Sequence, residues 1–218
     1  MLSSILNGGL DFVSLIAMFI SYMTVILVTM PIHEWAHAFV ATKLGDPTPS
    51  WHGRLSLNPL AHLDLYGVAM LLLFGFGFAK AVPVNPRYFK NPRQGMALVA
   101  LAGPASNILV AILATAACRV LLLVPLGGIV MAFVRSFLLM VAQVNISLAV
   151  FNLLPIPPLD GFRIASLLLP SKWVFWFDRN QRYVTFGLLA LIALGVLDKP
   201  LAYAQLGLSS IVFGLFGF

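Results

Sequence analysis

The chain has 218 residues, of which 61% are hydrophobic and only 9% charged, and its formal net charge is +6. Soluble domains carry about 25% charged residues, so this composition excludes an ordinary water-soluble globular protein. Most of the 13 lysines and arginines lie in short segments between apolar runs, which is the positive-inside pattern of membrane proteins and argues against binding to nucleic acid.

The first apolar run extends over residues 12–44 and predicts one long helix. At 1.5 Å per residue it would measure about 50 Å, which exceeds the ~30 Å hydrocarbon core of a bilayer. The sequence Gly45-Asp46-Pro47 is expected to end this helix. The stretch before the run has no basic region and no clear cleavage site, so we expect the segment to be retained rather than removed as a signal peptide.

The next segments are shorter. Residues 48–59 are polar, partly alternating and bounded by prolines, which favours a short strand. Residues 63–78 are apolar but contain three glycines, so we expect a re-entrant segment or hairpin rather than a simple span. Residues 79–86 are predicted to form a second short strand, which Pro83 restricts to a sheet edge.

Three stronger apolar runs predict membrane helices, at residues 94–124, 129–154 and 183–197, and the apolar tail at 201–218 is compatible with a last helix, whether or not it spans the membrane. The mixed segment 161–182 contains Trp173 and Trp176, which favours a position at headgroup depth in the membrane interface. The predicted fold is all-α: a polytopic membrane protein with about five to six transmembrane helices and a re-entrant or β-hairpin segment. Residues 1–218 are expected to form a single membrane-embedded domain.

The motif His33-Glu34-x-x-His37 interrupts the first apolar run. Two histidines four residues apart lie on one face of a helix and can both reach one metal ion. Glu34 lies beside them, where it can act as general base for a zinc-activated water. Each ionisable group in hydrocarbon costs at least about 2.5 kcal/mol. Three such groups so close together therefore predict a metal site rather than polar side chains merely satisfied within a helix bundle.

A catalytic zinc site usually has three protein ligands and a water. The candidates for the third ligand are His52, His62, Asp46, Asp64 and Asp160. The first four lie in or beside polar connecting segments, where a solvated loop position or a helix cap is the simpler interpretation. Asp160 follows an apolar run directly, in a segment whose three prolines rule out an ordinary helix. The need for a third ligand favours Asp160, and the alternative is an aspartate that caps the next helix.

These residues together resemble the site-2 protease family of intramembrane zinc metalloproteases, over nearly the whole chain and in the expected order. The segments that carry the resemblance are HEWAH at 33–37, GRLSLNPLAH at 53–62, AKAVPVNP at 79–86, AGPASN at 102–107 and NLLPIPPLDG at 152–161. The second and third are similar to compact bacterial-type members, and no PDZ or CBS domain is recognisable. The resemblance implies that His33, His37 and Asp160 bind one zinc ion per chain and that Glu34 is the catalytic base.

The resemblance also assigns two asparagines. Asn152 matches a family residue that binds the substrate or stabilises the oxyanion, and Asn107 matches another that lies near the active site and is expected to bind substrate. For both residues the alternative is hydrogen bonding between helices, which is a common use of polar side chains in membranes.

The basic residues predict the topology of the chain. Residues 79–93 contain four cations and no acid, so they are expected to face the cytoplasm. The helix at 94–124 then runs outward and the next one returns, which brings Asp160 towards the cytoplasmic side. His33 and His37 must reach the same depth to share a metal ion. The N-terminus is therefore predicted outside and the active site towards the cytoplasm.

The predicted function is intramembrane zinc endopeptidase activity on membrane-spanning proteins, in a multi-pass protein of the plasma membrane. Its expected partners are these substrates and the lipid bilayer. The predicted strands could hold an unwound substrate by strand addition. The main alternative is a non-proteolytic membrane protein that binds or transports metal, but transport would require polar residues along a path across the membrane. An inactive scaffold would be expected to lack a residue of the site, and all four are present.

Overall fold

A computed structural model describes residues 20, 23–64, 66–67, 69, 80–123 and 128–218. All regular elements in these ranges are helical, which confirms the all-α prediction. The chain divides into two compact units, Met1–Asn85 and Pro86–Phe218, and each is described by itself.

In the first unit, a π-helical turn at Val25–Thr29 leads into helix α1 at Met30–Lys43. Pro31 lies in the first turn of α1. It has no N–H to donate and its ring crowds the carbonyl four residues earlier, which explains the widened turn before it. Val25–Lys43 is long and apolar enough to cross a membrane, with a mean hydropathy of 1.2. The helix ends where predicted, because Gly45 adopts a φ of +103° that favours glycine.

The residues that follow α1 form two short helices, α2 at Thr48–Trp51 and α3 at Pro59–His62. The strand predicted at 48–59 is therefore wrong. Each helix has a proline in its first turn, Pro49 in α2 and Pro59 in α3, since proline suits the first helical turn. Residues 80–85 form no regular structure, so the second predicted strand is wrong over these residues as well. The strand-addition hypothesis loses its basis there.

Buried polar side chains hold this irregular region together in place of strand pairing. Asp46 is fully buried, and its carboxylate accepts hydrogen bonds from the backbone N–H of Thr48 at 2.9 Å and of Asn85 at 2.7 Å. The buried Arg54 donates to the carbonyls of Ala61 at 2.5 Å and Lys80 at 3.1 Å. These bonds give hydrogen-bond partners to backbone N–H and C=O groups that strand pairing would otherwise have to satisfy. The region therefore does not need a sheet.

The second unit is built around a pair of long apolar helices, α4 at Pro92–Leu123 and α5 at Ile129–Asn152. Both are candidate membrane spans, with mean hydropathies of 2.1 for α4 and 1.7 for Val130–Asn152. The runs predicted at 94–124 and 129–154 are thus confirmed as helices. Together with Val212 from the last helix of the chain, Asp198–Gly214, they form a core of small and branched side chains: Ala111, Ala114, Val141, Ala142, Ile146 and Val212. Small residues let membrane helices approach closely.

The described part of the second unit also contains a 3-10 helical turn at Pro86–Tyr88 and four more α-helices: α6 at Asp160–Ala165, α7 at Ser171–Arg179, α8 at Gln181–Ala193 and α9 at Asp198–Gly214. Helices α8 and α9 are bent by 83° at a short break, as in a broken span or a re-entrant loop. The described residues thus contain three candidate spans, or four if this pair counts as one. Five to six spans, a single domain and the re-entrant segment at 63–78 stay predictions. Most of that segment lies outside the described residues.

Candidate metal centre and active site

His33 and His37 lie on one face of α1, as their spacing predicts. Both are buried, and their Nε2 atoms are 3.0 Å apart, with ring centroids separated by 4.6 Å. Two imidazole nitrogens on a tetrahedral zinc ion, each at 2.0–2.1 Å, would be separated by about 3.3 Å. The histidine pair therefore fits two ligand positions of one metal ion with almost no rearrangement.

Glu34 follows His33 directly and is half-buried. A side chain next to a ligand on the same helix turn cannot share the ligand face, but it can reach the edge of a site built there. This is the position required of a general base that is not itself a ligand.

The four other ligand candidates of the first unit have structural contacts instead. Asp46 accepts hydrogen bonds from two backbone N–H groups, so it is a buried structural residue and not a solvated loop residue. His62 is also buried, and its Nε2 lies 2.7 Å from the carbonyl of Ser56. The exposed His52 contacts the carbonyl of Thr48 at 2.9 Å, and Asp64 accepts a hydrogen bond from the N–H of Gly67 at 3.0 Å. These contacts account for Asp46, His52 and Asp64 without a metal ion, whereas Nδ1 of the buried His62 has no hydrogen-bond partner among the described residues.

In the second unit, Asp160 is the first residue of α6 and is half-buried. The N-cap of this helix is Leu159, so Asp160 lies inside the first turn and not at the capping position. The segment before it turns back sharply, and a Cβ atom on Gly161 would lie 2.2 Å from the carbonyl oxygen of Leu153. Only glycine permits this close approach, and it fixes the start of α6 against the end of α5.

Arg93 holds the other end of α6. Its Nη2 donates to the carbonyl of Ser166 and, at 2.5 Å, to the carbonyl of Leu169. In the sequence, Arg93 is noted only as one of the basic residues that predict the membrane topology. Its partners are 73 and 76 residues away, so no local pattern could have identified this contact.

The two asparagines differ in their surroundings. Asn152 is the last residue of α5 and is half-buried. Asn107 lies within α4 and is 1% exposed, and neither Oδ1 nor Nδ2 of its amide has a hydrogen-bond partner among the described residues. Hydrogen bonding between helices therefore does not account for Asn107 within the described part of the chain. A buried amide without partners is costly, which is a reason to look for a ligand that it binds.

Three comparisons with known proteins bear on the family. The model of peptidase family M50 matches residues 120–195. The candidate zinc metalloprotease YwhC of Bacillus subtilis is 45% identical over 150 residues, which cover 66% of this chain and 67% of YwhC. The candidate zinc metalloprotease Rip2 of Mycobacterium tuberculosis is 39% identical over 143 residues, covering 62% of this chain and 52% of Rip2.

A third relative is archaeal. The candidate zinc metalloprotease MJ0611 of Methanocaldococcus jannaschii is 31% identical over 136 residues, which cover 61% of this chain and 62% of that protein. The chain thus spans only about half the length of Rip2 and under two thirds of MJ0611. No solved structure matches the chain. The matches to YwhC and to the family model show that this multi-pass membrane protein belongs to peptidase family M50, the site-2 protease family of zinc metalloproteases.

Proposed function

We propose that this chain is an intramembrane zinc endopeptidase that hydrolyses peptide bonds of membrane-spanning proteins. The observation that carries the proposal is the buried pair His33 and His37, whose Nε2 atoms lie 3.0 Å apart in a helix apolar enough to span a bilayer. Placing imidazoles inside such a helix costs free energy, so their presence there indicates a function.

Zinc would be held by His33, His37 and Asp160, which together offer two nitrogen ligands and one carboxylate oxygen. Three protein ligands leave a coordination position open, as catalytic zinc requires. A bound zinc ion would supply Lewis-acid polarisation of the scissile carbonyl. The competing carboxylate and imidazole candidates of the first unit already have structural contacts, which supports Asp160 as the third ligand.

The chain's own residues carry the proton transfers and hold the substrate. Glu34 takes a proton from the attacking water at its carboxylate and returns it to the leaving amine as the peptide bond breaks. A helical substrate hides its carbonyls in its own hydrogen bonds, so it must unwind locally before it can react. The amides of Asn107 and Asn152 would then bind the exposed backbone. The buried amide of Asn107 supports this role.

The location follows from charge. The described residues 80–93 contain Lys80, Arg87, Lys90 and Arg93 and no acid. We propose that this segment faces the cytoplasm of a plasma-membrane protein, with the active site towards the same side. Water and product would then exchange with the cytoplasm.

The test measures zinc content and cleavage of a single-span model substrate in the same detergent-purified samples. The wild type is expected to contain about one zinc ion per chain, and Asp160→Ala should lose both zinc and cleavage. The matched control is Asp198→Ala, because Asp198 is likewise an acidic residue in the first turn of its helix, α9. This control should keep both.

A second variant separates metal binding from catalysis. Glu34→Gln keeps the shape of the side chain but removes the base, so zinc should be retained while cleavage falls by about 10²-fold or more. Undiminished cleavage by this variant would contradict the mechanism. Wild-type chain that holds zinc but cleaves no substrate would favour the metal-binding alternative, and wild-type chain without zinc would refute the proposal.

A further inference from the structure

Helix α7, Ser171–Arg179, has one face attached to the protein and one face away from it. Its attached face contacts α6, because the rings of Phe177 and Phe162 lie 5.3 Å apart and Asp178 forms an ion pair with Arg163 at 3.1 Å. The helix is therefore held in a fixed orientation by one aromatic contact and one salt bridge.

The opposite face is aromatic and exposed. Trp173, Phe175 and Trp176 are 54%, 67% and 49% exposed, although they are among the most apolar side chains of the segment. Tryptophan on a surface helix next to membrane spans is typical of the interface, where its ring lies at headgroup depth. The face thus has the composition of a surface that contacts lipid rather than water.

The same face is also cationic. Lys172 and Arg179 line a shallow depression together with the three aromatic side chains. The two cations are seven residues apart, which is about two helical turns or 10 Å. The acid of this helix, Asp178, is engaged by Arg163, so the exposed face presents positive charge next to aromatic rings.

From this arrangement we infer that the exposed face of α7 binds anionic phospholipid of the bilayer. The lipid phosphates would lie at Lys172 and Arg179, and the start of the acyl chains would lie against Trp173, Phe175 and Trp176. Amphipathic helices with this composition lie in the membrane interface, and their cations are attracted to anionic headgroups. The inference goes beyond the proposed protease function and does not rest on it, since it involves neither zinc nor the catalytic residues.

The experiment uses the full chain in vesicles and reads tryptophan fluorescence. The chain has four tryptophans, so a Trp35→Phe/Trp51→Phe background leaves emission from Trp173 and Trp176 alone. Phosphatidylcholine vesicles receive equal small fractions of phospholipid with brominated acyl chains, either phosphatidylglycerol or phosphatidylcholine. Bromine quenches tryptophan on contact, so the ratio of the two quenching constants measures the preference for the anionic lipid at this face.

Brominated phosphatidylglycerol should quench several-fold more strongly than brominated phosphatidylcholine. Lys172→Gln/Arg179→Gln should reduce that preference by about fivefold or abolish it. The matched control is Lys90→Gln/Lys199→Gln, which removes two exposed cations elsewhere and should keep the preference. Far-UV circular dichroism checks that each variant is folded.

Two outcomes would overturn the inference. Equal quenching by both lipids in the parent chain would mean that the face has no preference for anionic lipid, as expected if its occupant is an acidic protein segment. The preference could also survive the loss of Lys172 and Arg179, or be lost equally in the control variant. Either result would show that it comes from the overall charge of the protein and not from α7.

Discussion

Asn107 combines deep burial with an amide that has no hydrogen-bond partner among the described residues. Such a group normally destabilises a protein by about 1–3 kcal/mol. If Asn107 lowers the stability of the free protein but binds the substrate backbone, its substitution should raise stability and lower activity. Substitution at this position can therefore distinguish a binding role from a structural one.

Asn107→Leu replaces the amide with an apolar side chain of similar size. The thermal unfolding midpoint should stay the same or rise, while cleavage falls by about tenfold or more as a hydrogen bond to substrate is lost. The control is Thr115→Val, because Thr115 is equally buried in α4 but bonds the carbonyl of Ala111 at 2.8 Å within its own helix. It should leave cleavage unchanged. A lower midpoint in Asn107→Leu would indicate a structural role instead.

Gly161 lies where the backbone leaves no room for a side chain. A methyl group at this position would meet the backbone of Leu153 at 2.2 Å, and backbone atoms cannot move aside without shifting α5 or α6. Gly161→Ala should lower the free energy of unfolding by about 1–3 kcal/mol and reduce zinc content, because α6 begins with Asp160. Gly187→Ala, at a helical glycine with open space around it, should be neutral or slightly stabilising.

At the scale of elements, the six-residue helix α6 is too short to be stable by itself. Its position depends on three attachments within the second unit: Gly161 against Leu153, Arg93 from α4 and Asp178 from α7. The helix that begins with the candidate ligand Asp160 is thus held at both ends.

Arg93→Gln removes the charged donor that binds the carbonyls of Ser166 and Leu169. Because Arg93 is exposed, the expected loss of stability is modest, about 1 kcal/mol. We expect faster loss of zinc to a chelator, with Arg93→Lys restoring part of the retention and Lys90→Gln behaving as wild type. If zinc release in Arg93→Gln equals that of the wild type, α6 does not depend on this contact.

Among the residues that the structure describes, three helices are long and apolar enough to cross a bilayer, or four with the bent pair, so the loops between them must alternate between two aqueous sides. The positive charge of residues 80–93 predicts which side they face. Cys118 is the single cysteine of the sequence. Its replacement by alanine therefore gives a chain without background labelling.

In this cysteine-free chain, Lys90→Cys should react with a membrane-impermeant maleimide in inverted vesicles and be protected in intact cells. Val130→Cys, at a 73% exposed position near the start of α5, should show the reverse pattern. Labelling of Lys90→Cys from outside intact cells would invert the proposed topology and place the active site on the other face.

Features that depend on local periodicity and on composition could be predicted from the sequence. The four-residue spacing places His33 and His37 on one helix face, because an α-helix has 3.6 residues per turn. The length of the apolar runs indicates helices that can span a membrane, since only helices and closed barrels satisfy the backbone in lipid. The prolines after Asn152 interrupt α5, because proline cannot continue a helix.

Contacts between residues that are far apart in the chain could be identified only in the tertiary structure. Asp46 binds Asn85 from 39 residues away and Arg54 binds Lys80 from 26 residues away, and these contacts make the region after α1 short helices and loops rather than the predicted strands. Arg93 reaches α6 across 73 residues. Local sequence patterns encode which residues can be buried or helical, but the partner of a buried polar group is fixed only when packing brings distant backbone carbonyls and amides within hydrogen-bonding distance.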